Sequence, residues 1–123
     1  MQLRILSGSY TVCKIPSPAS VNWSGEVTFL GSTPEELSLV CETRLVPENP
    51  LAREDGWRAL RVEGVLDFSL IGILSRITAI LADAGVSVFC VSTFNTDYVL
   101  VKEDRLTAAV SALQSAGHTT IPA

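Results

Sequence analysis

The most regular hydrophobic pattern in the chain is an apolar stripe between residues 70 and 84. Apolar residues recur there at steps of three and four, at Leu70, Ile73, Leu74, Ile77, Ile80, Leu81 and Ala84. This spacing places them on one side of a helix, which must pack on a sheet. Gly85 follows the stripe, and a glycine in this position can take the left-handed conformation that ends a helix.

Runs rich in β-branched and aromatic residues flank this helix and predict the strands of its sheet. The predicted order is strand (Trp57–Glu63), helix (70–84), strand (Val86–Phe94), strand (Asp97–Lys102), helix (Asp104–Ala116) and strand (His118–Ile121). Right-handed crossovers place both helices of such a βαββαβ unit on one face of a four-stranded antiparallel sheet. The predicted fold class is therefore α+β, with ferredoxin-like topology.

The first half of the chain repeats this order in a reduced form. Residues 3–15 read as extended structure with a bend at Gly8, and EVTFLGS and EELSLVCE predict a hairpin. Short helical turns are predicted after Pro18 and at Arg44–Pro47. The segment PENPLAREDG is the linker candidate, which divides the chain into residues 1–55, a reduced half, and 56–123, a complete unit. We expect the halves to share a core, because about 60 residues bury too little surface alone.

Composition narrows the class of function. Apolar residues make up 47% and charged residues 18%, an ordinary globular balance. A net charge of -4 with scattered basic residues argues against a nucleic-acid surface. No apolar run is long enough to span a bilayer, and the first ten residues lack the apolar segment of a signal peptide. We therefore expect a cytoplasmic protein with neither nucleic acid nor membrane as a partner.

The reactive residue types form no catalytic pattern. Cys13, Cys41 and Cys90 match no zinc spacing and each lies in a strand-like run, so we expect free cysteines packed as small apolar residues. His118 is the only histidine and opens the last predicted strand. With no paired nucleophile and base and no phosphate-binding loop, the sequence predicts no enzyme, no metal and no cofactor.

The turn before the first helix is more distinctive. In GVLDFS, Asp67 and Ser69 can cap the helix, and Phe68 can pack against Ile73. Gly72 falls in the first predicted turn, where glycine costs about 1 kcal/mol relative to alanine. Either a ligand or another backbone approaches the unpaired helix amides there, or the helix packs closely on the sheet.

The residues from EGVLDFSLIGILSRITAILADAGV to VSTFNTDYVLVKE resemble an ACT domain, the amino-acid-sensing module of metabolic regulation. The run VSTFNTDYVLV is similar to the ACT subfamily of the animal arginine sensor CASTOR and of small bacterial proteins with two ACT-like halves. That sensor has an acidic residue near the helix start, where this chain has the apolar pair Leu70 and Ile71. The resemblance therefore implies an amino acid as ligand, without implying arginine.

The resemblance also implies the location of the site. The ligand's carboxylate and amino groups would lie at the loop and helix N-terminus, and its side chain against the end of the hairpin. The residues concerned are Asp67, Ser69, Leu70, Ile71, Gly72 and Ile73, followed by Thr93, Phe94 and Asp97. Without a ligand, the last three are ordinary strand-end and turn residues, and Asp97 only accepts bonds from turn amides.

Two functions follow from this resemblance. The chain is either a sensor module that passes the occupancy of a free amino acid to a partner protein, or a structural or protein-interaction domain that has lost the ligand. The sheet of a ferredoxin-like unit leaves apolar surface and open edges, so we also predict a homodimer. Light scattering at micromolar concentration tests this, and a monomer mass would reject it.

Overall fold

A computed structural model describes residues 1–64 and 72–123. The described residues form eight strands and two α-helices. In chain order these are β1 (Gln2–Ile5), β2 (Tyr10–Lys14), β3 (Phe29–Ser32), β4 (Leu37–Glu42), β5 (Ala52–Val62), α1 (Ile73–Asp83), β6 (Val88–Ser92), β7 (Asp97–Lys102), α2 (Leu106–Ser115) and β8 (Thr119–Ile121). The chain divides into a two-helix unit, Met1–Ser7 with Arg58–Ala123, and a strand unit, Gly8–Trp57.

The two-helix unit has the predicted βαββαβ order from β5 to β8. Its strands lie in the order β6, β7, β5, β1, β8, so β1 is inserted where β5 and β8 would otherwise be neighbours. β1 runs antiparallel to β5 and parallel to β8. The expected four-stranded sheet is thus corrected to five strands, because β1 satisfies backbone groups on both neighbours. The Glu63 amide donates to the Gln2 carbonyl, and the Thr119 amide to the Met1 carbonyl, each at 2.9 Å.

Both helices pack on this sheet through one apolar core. The predicted stripe is confirmed within the described residues, since Ile73, Ile77 and Leu81 are buried on α1. They meet side chains from β1, β5, β7 and α2, together with Val86: Leu3, Leu60, Val62, Val99, Val101, Ala109 and Leu113. Each buried valine, leucine or isoleucine in this core contributes about 1.5–3 kcal/mol by burial, which fixes α1 on the sheet.

Left-handed glycines end both helices, as predicted. Gly85 has φ 73° and Gly117 has φ 94°, values that L side chains rarely adopt. The Arg105 guanidinium also donates to the carbonyls of Ala84 at 3.2 Å and Gly85 at 3.4 Å. A cation at this position satisfies carbonyls that the last turn of α1 leaves open.

The strand unit contains β2, β3, β4 and the first part of β5. Its strands lie in the order β3, β4, β2, β5, all antiparallel, which is the ferredoxin-like order. Short 3₁₀ turns, Pro18–Ser20 and Thr43–Leu45, stand where the other unit has helices. Val21 and Val46 pack on the buried cluster of Cys13, Ile15, Leu39 and Cys41. Loop residues therefore cover the apolar cluster that helices would otherwise cover.

β5 begins at Ala52, five residues before the predicted strand start at Trp57, so the second half of the predicted linker is strand. Its charged residues pair through backbone bonds with β2, an interaction that composition does not reveal. The register shifts beside Thr11, which is fully buried. The Thr11 hydroxyl lies 2.9 Å from the Thr43 hydroxyl and donates to the Asp55 carboxylate at 2.7 Å. These bonds satisfy a polar group that would otherwise be costly to bury.

The cysteines are free, as expected. Cys13 and Cys41 are buried and Cys90 is half-buried. Burial raises the pKa of all three thiols, that of Cys41 to about 11. A raised pKa keeps the thiols protonated at neutral pH, which is the state of a packing residue and not of a nucleophile.

Candidate functional site

The helix α1 begins with an unusual cap. Gly72 is the N-cap residue, with φ 79° and ψ 9° in the left-handed region. The first helical bond runs from the Arg76 amide to the Gly72 carbonyl at 2.9 Å. Among described residues no side chain caps this end, and the amides at positions 73–75 have no partner within the helix.

This geometry corrects the interpretation of Gly72 as a residue inside the helix. Glycine is required here by its positive φ, because a left-handed conformation costs other residues about 1–2 kcal/mol. Neither close packing on the sheet nor backbone approach explains it within the described chain. Among the described atoms, a Cβ at Gly72 would meet only the Arg76 guanidinium, at 3.4 Å.

The remaining residues predicted near the helix N-terminus divide into two groups. The side chain of Ile73 is 8% exposed and belongs to the core, so only its backbone amide can reach a ligand. Asp67, Ser69, Leu70 and Ile71 lie outside the described residues, as does the predicted packing of Phe68 on Ile73.

The turn between β6 and β7 carries the other predicted residues. The Thr93 amide donates to the Thr96 carbonyl at 2.8 Å, and the Thr96 amide donates to the Thr93 hydroxyl at 3.3 Å. The Thr93 hydroxyl in turn donates to the Thr96 carbonyl at 3.0 Å. Thr93 therefore closes the turn, while Phe94 next to it is 78% exposed.

Asp97 opens β7 on the side of the sheet that faces the helices. It pairs with Ser92 across the hairpin, and side chains alternate along a strand, so Asp97 shares its face with the buried Val99 and Val101. Its charge also helps to raise the pKa of Cys90, after the larger effect of burial. Asp97 as a residue is half-buried at the end of the sheet.

Thr96, which sequence analysis did not single out, ties this turn to β5. Its side chain is 7% exposed, and its hydroxyl donates to the carbonyl of Val62, the last residue of β5, at 2.6 Å. The chain leaves β5 at Val62 and enters α1 at Ile73. The hairpin end that carries Thr93 and Asp97 is therefore fixed beside the strand end that precedes α1.

Two cationic groups, the amino group of Met1 and the Arg76 guanidinium, lie near His118 at the same end of the sheet. The pKa of His118 is lowered by burial first, then by the amino group at Met1 and by Arg76, with a backbone hydrogen bond to Met1 acting in the opposite direction. Arg76 also lies against Gly72 at the helix start. In the described chain, the His118 Nδ1 atom is buried without a hydrogen-bond partner. Cationic groups beside a helix N-terminus favour an anion.

Comparison with a family model identifies the family of this chain. The family model described as the ACT domain matches residues 52–115. The chain belongs to the ACT domain family. ACT domains are regulatory modules that generally bind small molecules, amino acids among them. The match begins with β5 and ends with α2, so it covers both the N-terminus of α1 and the β6–β7 hairpin.

Individual proteins resemble this ACT domain protein over different lengths. The human cytosolic arginine sensor for mTORC1 subunit 1 is 41% identical over 59 residues, which is 47% of this chain and 18% of the sensor. The solved structure of the protein Atu0741 from Agrobacterium tumefaciens is 29% identical, covers 99% of this chain and 92% of its own, and has a TM-score of 0.89.

A third similarity concerns the fold alone. The ligand-free regulatory subunit of aspartate kinase from Thermus thermophilus is 10% identical, with a TM-score of 0.64 over 94% of this chain and 96% of that subunit. The α+β ferredoxin-like fold expected from the sequence is thus confirmed. Across the described part of the chain, no helix has the length and apolar character needed to cross a membrane.

We predict that His118 makes the stability of this ACT domain protein depend on pH below neutrality. Its folded pKa lies below the ordinary value of 6.5, so the unfolded state binds the proton more tightly. The contribution of neutral His118 to the free energy of unfolding is therefore fully present above about pH 6.5. It is lost as the pH drops through that value towards the folded pKa. Urea titrations at intervals from pH 8 to pH 5 measure this slope.

His118→Gln is the informative variant, because the chain has no other histidine. It should flatten the slope between about pH 7 and pH 5, while the carboxylate-driven loss at lower pH remains. An unchanged slope in His118→Gln would show that His118 titrates alike in the folded and unfolded chains.

Proposed function

We propose that this ACT domain protein binds a free amino acid at the N-terminus of α1 and passes its occupancy to a partner protein, without catalysing a reaction. The observation that carries the proposal is the start of α1 at a left-handed glycine with no side-chain cap among the described residues. The open amides suit a carboxylate, which gains about 0.3–2 kcal/mol at a helix N-terminus. The name of the similar arginine sensor supports an amino acid, in the cytosol, as the ligand.

The charges around α1 support an orientation for that ligand. Arg76 beside Gly72 would favour the carboxylate at the helix start. Asp97, on the helix-facing side of the hairpin end, would accept hydrogen bonds from a basic or donor-bearing side chain. Asp67, Ser69, Leu70 and Ile71 are proposed to complete the loop around the amino group, as the family resemblance implies.

A second function remains open because of Phe94. Phe94 is 78% exposed at a hairpin turn, and aromatic side chains are enriched at protein interfaces. In that case the domain keeps the ACT fold and binds a protein without a small ligand. Thr93 and Thr96 would then serve only to shape the turn that presents Phe94.

Thermal unfolding with each of the twenty amino acids at millimolar concentration separates the two functions. A ligand at 100 times its dissociation constant adds about 2.7 kcal/mol of stability, which raises the melting temperature measurably. We expect at least one amino acid with a basic or donor-bearing side chain to do so. If none of the twenty shifts the transition, the amino-acid proposal fails and the interaction domain is the better account.

Asp97→Asn then tests the assignment of the ligand's side chain. Loss of the charge should weaken the binding of a basic amino acid by about tenfold or more, equivalent to about 1.4 kcal/mol. The melting temperature of the ligand-free protein should be unchanged. Asp83→Asn is the matched control, because Asp83 is exposed at the opposite end of α1. Unchanged affinity with a lowered ligand-free melting temperature would assign Asp97 to the turn.

A further inference from the structure

The hydroxyl of Thr96 makes a contact that the turn itself does not need. The turn is already closed by bonds between Thr93 and Thr96 that use the two backbone amides, the Thr96 carbonyl and the Thr93 hydroxyl. The Thr96 hydroxyl instead donates to a group outside the turn, the carbonyl of Val62, at 2.6 Å. Those two residues are 34 positions apart in the chain, so this bond joins separate parts of the two-helix unit.

The place of this bond gives it a role beyond packing. Val62 is the last residue of β5, and the segment from there to Gly72 precedes the open amides of α1. Asp97 follows Thr96 directly and is the first residue of β7. This hydrogen bond therefore adds to the backbone pairing of β7 with β5, at the strand end from which the chain proceeds to α1.

We propose that Thr96 is a positioning residue of the ligand site, which holds the Asp97 carboxylate in register with the N-terminus of α1. This inference rests on the proposed amino-acid function. A hydroxyl buried to 7% exposure and bonded to a backbone carbonyl allows little displacement of the turn. Small displacements of a recognition group weaken binding strongly, because a charge-assisted hydrogen bond depends on distance and angle.

Two substitutions separate the hydroxyl from the rest of the side chain. Thr96→Val keeps the volume and removes the donor, whereas Thr96→Ser keeps the donor and removes one methyl group. If packing alone matters, valine is the milder change. If the bond to Val62 positions Asp97, serine is the milder change for ligand binding.

The experiment measures affinity by calorimetry for the amino acid that stabilises the wild type most and for alanine as a neutral comparison. Thr96→Val should lower the affinity for the preferred amino acid by about tenfold and the affinity for alanine by less than about threefold, so that selectivity falls. Thr96→Ser should retain both affinities within about threefold. Selectivity is the decisive quantity, since a general loss of stability would lower both affinities together.

Amide hydrogen exchange in the ligand-free protein provides a second measurement. Thr96→Val should speed exchange at Thr93, whose amide lies in the turn, by about tenfold, with Leu100 in the middle of β7 unchanged. The positioning role would be overturned if Thr96→Val kept the selectivity and the exchange rates of the wild type. It would also be overturned if Thr96→Ser lost them as Thr96→Val does. If the wild type binds no amino acid, the proposed function fails and the exchange comparison alone decides whether Thr96 fixes the turn.

Discussion

Ile77→Ala is expected to lower the free energy of unfolding by about 2–5 kcal/mol. Ile77 is 0% exposed at the centre of α1 and belongs to the same core as Val62, Val99 and Leu113. Truncation removes apolar burial and leaves a cavity that a sheet on one side and helices on the other cannot close. Urea unfolding followed by circular dichroism measures the change.

Ile80→Ala is the control for this substitution. Ile80 lies on the same helix and is only partly buried, so its truncation should cost less than half as much. Both variants gain the same small helix propensity from alanine, which cancels in the comparison. Equal losses would mean that Ile77 does not lie at the centre of the stripe.

Gly72→Val is expected to weaken amino-acid binding by more than about tenfold. Valine is strained at φ 79°, and relief of that strain must rotate the backbone that presents the first amides of α1. A carboxylate held by those amides would lose its hydrogen bonds together. The affinity of the amino acid found by thermal screening, measured by calorimetry at a temperature where the variant is folded, provides the test.

Gly117→Val separates strain from a role in binding. Gly117 has φ 94°, and nothing described lies within 4 Å of the Cβ that valine would add. Both variants should lose stability through the same backbone strain, but only Gly72→Val should lose affinity for the amino acid. Equal affinity for the amino acid in Gly72→Val and Gly117→Val would remove the α1 amides from the site.

Local patterns were sufficient for most elements of the two-helix unit. The bounds of β7 are those predicted, and α1 and α2 differ from the prediction by one to three residues at each end. Apolar spacing and terminal glycines report on neighbours within one or two turns, so the helices are readable from the sequence. The division of the chain at residue 55 stays a prediction, and Met1–Ser7 groups with the two-helix unit.

Long-range pairing was not readable in this way. Nothing in residues 2–5 indicates that β1 lies between β5 and β8, since a short apolar strand pairs equally well with many partners. Likewise, the bond from Thr96 to Val62 depends on tertiary contact, and the positive φ of Gly72 depends on how the preceding segment enters α1. The sequence pattern therefore indicated where along the chain the site lies, but not the tertiary contacts around it.

The insertion of β1 has a consequence for where this domain can be cut. The family match spans residues 52–115, so it includes β5 but neither β1, which pairs with β5, nor β8, which pairs with β1. A fragment that begins at residue 52 would lack the neighbour of Leu60 and Val62 and would expose two unpaired strand edges inside its own sheet. We therefore expect a fragment that begins at residue 52 to be less stable than a chain that includes β1.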